Sequence, residues 1–121
     1  KAKNLKSELM TLNKNINGVN FIASKINLDS SDAIKDLAFQ MRSEVDNLFM
    51  VLGAEVKGKP NLTVVVSENL VKEKGLNAGA IIRDLAKEIQ GGGGGQPFYA
   101  TAGGKNISGL DNALKKAEAL I

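Results

Sequence analysis

Residues 91–104 read Gly91-Gly92-Gly93-Gly94-Gly95-Gln96-Pro97-Phe98-Tyr99-Ala100-Thr101-Ala102-Gly103-Gly104, and the reading of the five leading glycines decides the rest of the chain. They follow an amphipathic helical pattern that ends at Ile89-Gln90. One glycine is enough to close a helix, because a single left-handed residue caps the last turn. Each further glycine costs roughly 0.5–1 kcal/mol of backbone entropy relative to alanine. Four surplus glycines therefore cost roughly 2–4 kcal/mol, a large share of a domain stability of roughly 5–15 kcal/mol. Something should offset that, most simply a ligand that must approach bare backbone amides. A floppy linker is the plain alternative. A linker separates domains, however, and the 26 residues after Gly95 hold one short strand and one helix, too few for a core of their own. The familiar phosphate loops do not fit. G-x-x-x-x-G-K-S/T needs glycine where Tyr99 stands, and every G-x-G-x-x-G register puts Gln96, Pro97 or Phe98 at its sixth position.

Working outward, Ala78, Ile81, Ile82, Leu85, Ala86 and Ile89 form one apolar stripe, with Asn77 placed to cap it. The opposite face carries Arg83, Asp84, Lys87 and Glu88, an ordinary solvated face. After the glycines, Phe98, Ala100 and Ala102 alternate with Tyr99 and Thr101 as a short strand. Ser108 is placed to cap a final helix with Leu110, Ala113, Leu114, Ala117 and Leu120 inward. Upstream, Leu62-Thr63-Val64-Val65-Val66 is the strongest strand in the chain, its apolar run implying burial on both faces. Phe49–Val56 reads as a strand interrupted at Gly53, joined by a turn at Lys57-Gly58-Lys59-Pro60. Ser67 to Lys74 makes a short helix before Gly75, and residues 31–47 a longer one capped from Asp29, Ser30 or Ser31. Val19–Ile26 alternates as a strand. Leu5, Leu9, Leu12 and Ile16 mark a helix stopped by Asn13, Asn15 and Asn17-Gly18; it is either part of the domain's own core or a truncated dimer seam. The expected fold is a two-layer α/β domain over residues 18–121, its helices packed on a small mixed sheet, with a helical segment over 1–17 leading into it.

Composition narrows the chemistry. The chain has 121 residues, 43% of them hydrophobic, with no cysteine and no histidine. Zinc sites of the usual kind, thiol nucleophiles and histidine bases are excluded together. No apolar run approaches the length of a membrane span. Net charge is +3, but the excess lies before Leu28, away from the glycines. No carboxylate pair stands out: Asp84/Glu88 and Asp29/Asp32 read as helix-surface and capping charges. The remaining candidates are binding groups. Amides of Gly91, Gly92, Gly93, Gly94 and Gly95 form an anion nest, with Gln96, Asn106 and the helix start at Ser108 beside them. Lys105 offers a phosphate contact or is a solvated turn lysine; Tyr99 offers a stacking surface or packs in its strand. Asp111 would repel a phosphate placed at the last helix. Valine at Gly93 and Gly94 is expected to block a ligand's close approach while the fold survives.

The run from Gly91 to Gly104 resembles the C-terminal end of alanyl-tRNA synthetases, where glycines, a polar residue, Pro and a short hydrophobic segment lead into an Ala-Gly-Gly turn and the last helix. Asn77-Ala78-Gly79 and Ser67-Glu68-Asn69-Leu70 are also similar to that family's pattern, and the resemblance is strong from about Leu62 onward. The same module accompanies DHH-type phosphoesterases, where histidine typically follows the glycines; here Gln96 stands there. The resemblance implies a non-catalytic, cytoplasmic, tRNA-binding domain of an alanine–tRNA ligase. Its partners would be alanine tRNA near the elbow, the rest of the synthetase, and a second copy through the N-terminal helix. ATP with magnesium, and zinc, would belong to the full-length enzyme and not to this piece. The alternatives are the substrate-binding domain of a DHH-family phosphoesterase or oligoribonuclease, and a purely structural dimerisation module.

Overall fold

The computed structural model of the protein describes residues 2–28 and 30–121. Helix α1 (Ala2–Thr11) leads into strands β1 (Lys14–Ile16) and β2 (Val19–Lys25), then α2 (Ser31–Glu44), β3 (Leu48–Val56), β4 (Lys59–Val66) and α3 (Glu68–Lys74). Helix α4 (Ala78–Leu85) continues as a 3-10 turn over Ala86–Ile89 into β5 (Gly92–Gly95) and β6 (Tyr99–Gly103); a second 3-10 turn at Ile107–Gly109 opens α5 (Leu110–Glu118). The strands form one sheet in the order β1-β2-β3-β4-β6-β5. Among the described residues only β2 and β3 run parallel, so the sheet is mixed, as expected.

The sheet is held by a strand that is buried on both faces. Every residue from Leu62 to Val66 is at most 1% exposed. Leu62, Val64 and Val66 face a core with Ala78, Ile82, Leu85 and Ile89, and with Leu110, Ala113 and Ala117 of α5. Val65 faces the other way, into a core with Leu9 of α1 and Ile34, Leu37, Ala38 and Met41 of α2. Helices thus flank both faces of the sheet, α1 and α2 on one side, α4 and α5 on the other. Burial of a Leu or Ile side chain stabilises by roughly 1.5–3 kcal/mol, so these two stripes carry the fold.

Local signals explain most boundaries. Ser30 Oγ accepts from the Ala33 amide and Asn77 Oδ1 from the Ala80 amide, satisfying helix donors that have no intrahelical partner. Of the other capping candidates, Ser31 is the first residue of the helix and Asp29 lies outside the described residues. Asn17-Gly18 and Lys57-Gly58 hold positive φ and close two-residue hairpins between directly paired residues. Ser67 Oγ accepts from the buried Leu48 amide at 2.7 Å while the Ser67 amide donates to Leu48 O, locking the end of β4 to the start of β3. Across α4 and α5, Lys116 pairs with Asp84 at 3.3 Å and Glu88 at 3.4 Å, so these acids are structural charges.

Several expectations are corrected. Residues 14–16 are a strand paired to β2, so Ile16 is not on the N-terminal helix. Leu9 is 1% exposed against α2, which places that part of the seam in the domain's own core. Strand β3 passes unbroken through Gly53, where a Cβ would stand 3.3 Å from Leu110 Cδ2; the missing side chain makes room for α5. Helix α2 stops at Glu44 rather than 47. Ser108 lies inside the 3-10 turn and donates to Asn106 Oδ1 instead of capping α5, and Leu120 is 42% exposed. Most consequentially, the glycine run is not a loop. Gly92–Gly95 is the edge strand of the sheet.

Candidate functional site

Strand β5 pairs antiparallel with β6, Gly92 opposite Gly103 and Gly95 opposite Ala100. The hairpin closes at Gln96 and Tyr99, which exchange hydrogen bonds of 2.8 and 3.3 Å around a Pro97-Phe98 tip. Glycine is required on one side of the strand only. A Cβ at Gly93 would lie 2.5 Å from Ala102 Cβ and closer still to the Thr101 carbonyl oxygen. At Gly95 it would lie 2.6 Å from Tyr99 O, and at Gly91 it would overlap the Gly103 carbonyl. At Gly92 and Gly94 nothing stands within 4 Å. So Gly91, Gly93 and Gly95 are fixed by packing against β6, while Gly92 and Gly94 open onto the α2-side face, which they share with Thr101 and Gly103. Valine at Gly93 would therefore disturb the fold, contrary to the expectation from sequence; valine at Gly94 would not.

The register also settles which amides are free. Gln96 and Tyr99 form a hydrogen-bonded pair, so the alternation of an antiparallel ladder turns the Gly93 and Gly95 amides away from β6. The Gly91 amide, which follows the same alternation, donates to Ala86 O at 2.9 Å. Among the described residues no acceptor is found for Gly93 or Gly95. Helix α4 runs beside this edge: the Ala78 amide donates to Pro97 O, and a Cβ on Gly79 would be 3.1 Å from Gly95 O. Arg83, one turn on, donates from Nε to Gly79 O at 3.2 Å, so a cation is tethered to the residue that lies against Gly95 O. The five-amide nest thus reduces to two free amides with a cation beside them.

At the other end of β6, Gln90, Gly91, Gly103, Gly104 and Lys105 line an open groove of ≈ 420 Å³ with Lys59, Pro60 and Asn61. No ion pair to Lys59 or Lys105 is found among the described residues. The backbone here is not available to a ligand. Ile89 O accepts from both the Lys105 and Asn106 amides, at 2.8 and 2.9 Å, and the Gly104 amide donates to Pro60 O. Asp111 is held 3.2 Å from Lys25, so its charge is partly answered within the protein.

Tyr99 lies about 14 Å from this groove, four residues along the strand at about 3.4 Å each. Its ring packs on Phe39 of α2 with centroids 4.9 Å apart, and burial pushes its phenol above the ordinary value. Beside it, the Arg42 guanidinium sits 4.9 Å over the Phe98 ring. The structure therefore brings Gly91 together with Lys105, next to Asn106 in the chain, and sets Gly95, Gln96 and Tyr99 at the opposite end of the same hairpin. Sequence reading missed Arg83, Lys59, Phe39 and Arg42, since each reaches the hairpin from a separate element; only the Gly79–Arg83 spacing of one helical turn was open to view.

A family model described as the DHHA1 domain matches residues 18–121. An alanine--tRNA ligase of Christiangramia forsetii is 60% identical over 121 residues, all of this chain and 14% of that protein. The alanine--tRNA ligase of Cytophaga hutchinsonii is 50% identical over the same span, again 14% of its length. The chain therefore spans about one seventh of the curated relatives it matches. Among solved structures, the C-Ala domain of Aquifex aeolicus alanyl-tRNA synthetase superposes with a TM-score of 0.77 at 23% identity, over 86% of this chain and 92% of that one. A DHH-domain protein described as a member of a family of ribosomal proteins superposes at 0.61 and 13% identity, over 95% of this chain and 29% of the other. These two likenesses establish the shared fold. Both the matched span and the glycine hairpin agree: the chain belongs to the DHHA1 domain family.

Proposed function

We propose that this chain is the C-terminal domain of an alanine–tRNA ligase, and that it binds the folded tRNA near its elbow without catalysing a step itself. The observation that carries the binding reading is the exposed glycine hairpin. Its strand β5 has no side chains to keep a ligand away, and its edge offers the Gly93 and Gly95 amides near Arg83 of α4. Lys59 and Lys105 stand at one end of the same face. Backbone donors with a few cations recognise the shape and phosphates of a structured RNA rather than its sequence. Identity of 50–60% to alanine--tRNA ligases supports the choice of parent enzyme. Attachment of alanine with ATP and magnesium, and any zinc site, would fall to the rest of such a ligase, which is this domain's other partner.

Titration of intact alanine tRNA against an unstructured RNA of equal length tests this. The expected result is weak, salt-sensitive binding that favours the folded tRNA. With two to three phosphates neutralised, log K should fall with log salt at a slope of about −2. Lys59→Ala and Lys105→Ala should each flatten the slope by about one contact. Equal affinity for the two RNAs would overturn the reading.

A further inference from the structure

The aromatic end of the hairpin has chemistry that phosphate binding does not use. Lys35, Phe39 and Arg42 lie at helical spacing on one stripe of α2; Phe39 meets Tyr99, Arg42 meets Phe98, and Lys35 lies over the Phe39 ring. Phe39, Phe98 and Tyr99 all remain partly exposed, so aromatic surface is left open at this end of the hairpin. Among the described residues neither Lys35 nor Arg42 forms an ion pair. Arg42 donates from Nε to Val66 O at 3.4 Å, which tethers the guanidinium 4.9 Å over the Phe98 ring. Beyond Arg42 opens a cleft of ≈ 530 Å³ whose wall includes Asn47, Ser67 and Asn69 with the carboxylates of Asp46 and Glu68. Those two acids disfavour a phosphate but accept from the amino groups of a base.

We infer that this end of the hairpin is a stacking site for one unpaired base of a folded RNA, bounded by Phe98, Tyr99 and Phe39 and flanked by Arg42. It rests on the tRNA-binding reading and extends it. Base stacking on aromatic and guanidinium planes is how proteins hold RNA bases that are not paired, and it needs no sequence readout. The flat glycine face separates this site from the lysine groove by about 14 Å, room for the backbone between the stacked base and phosphates at Lys59 and Lys105. An RNA fits this division into an aromatic end and a cationic end. A peptide strand would need the glycine edge alone.

The chain contains one tyrosine and no tryptophan, so its tyrosine emission reports on Tyr99 alone. The experiment titrates the 121-residue chain with folded alanine tRNA, reading both the anisotropy of end-labelled tRNA and Tyr99 emission. Quenching of more than half, saturating together with the anisotropy, is expected. Phe98→Ala should weaken binding about 10-fold while leaving the salt slope unchanged. Phe98→Leu, which keeps apolar volume at the tip, should lose as much, and Phe98→Trp should restore binding. If anisotropy rises while Tyr99 emission stays constant and Phe98→Leu binds like the parent, the stacking site is wrong and tRNA binding stands. If anisotropy does not rise at all, both fail.

Discussion

Gly93→Ala is expected to lower the thermal midpoint by about 10 °C, while Gly94→Ala, one residue along, leaves it unchanged or raises it slightly. The chemical change is identical; the surroundings are not. A methyl group at Gly93 meets Ala102 and the Thr101 carbonyl, so either β5 parts from β6 or the backbone shifts. Overpacking of this kind costs about 1–3 kcal/mol, and here the obstacle is backbone that cannot rotate away, which places the cost near the upper end. At about 3–5 °C per kcal/mol for a domain of this size, that gives the stated drop. At Gly94 the methyl group enters open space with φ in the ordinary negative range, so the main effect is a less flexible unfolded chain, worth about 0.4–1 kcal/mol. Gly109→Ala should behave like Gly93→Ala, because a Cβ there would stand 2.7 Å from the Glu88 carbonyl carbon and nearer its oxygen. Equal midpoints for the Gly93 and Gly94 variants would mean that β5 does not pack as described.

Leu9→Glu is expected to destabilise the domain by about 3 kcal/mol or more, in urea or by heating, whatever its state of association. Leu9 is 1% exposed in a core with Ile34, Leu37 and Met41, and an unpaired carboxylate there has no partner. Leu12→Glu should change stability by less than about 0.5 kcal/mol, because Leu12 is 45% exposed. The pair separates two roles that one apolar helical pattern had merged. If α1 also joins a second copy, as the resemblance to the synthetases implies, the contact would use the exposed Met10 and Leu12, and light scattering of Leu12→Glu should show the lower mass. A folded, fully stable Leu9→Glu would contradict the placement of α1.

What could be read from the sequence was whatever is decided within about a helical turn or a strand. The stripe from Ala78 to Ile89, the cap at Asn77 and the doubly buried run from Leu62 to Val66 each carry their own signal. What escaped was decided by distant partners. Glycine is among the poorest strand formers, so only the carbonyls of β6 and the side of α4 make Gly92–Gly95 a strand. Ser108 looked like a cap, but Ile89 O draws in the Lys105 and Asn106 amides and leaves Ile107–Gly109 as a tight turn. Lys14-Asn15-Ile16 is too short and polar to register alone, and forms a strand because β2 lies beside it. The backbone entropy that the glycines cost is met by a compensation in the fold. For Gly91, Gly93 and Gly95 that compensation is close packing, leaving Gly92 and Gly94 as the positions open to a ligand.

Those two positions allow the most direct test of a tRNA-binding glycine face: the affinity of the Gly94→Val chain for folded alanine tRNA at fixed salt, with its thermal midpoint measured alongside. Valine suits a strand and meets nothing within 4 Å of its Cβ, so the midpoint should hold. Its branched side chain would stand on the flat face where RNA must approach, and binding should weaken at least about 10-fold, a loss of about 1.4 kcal/mol. A folded Gly94→Val chain that binds tRNA as tightly as the parent would contradict the account.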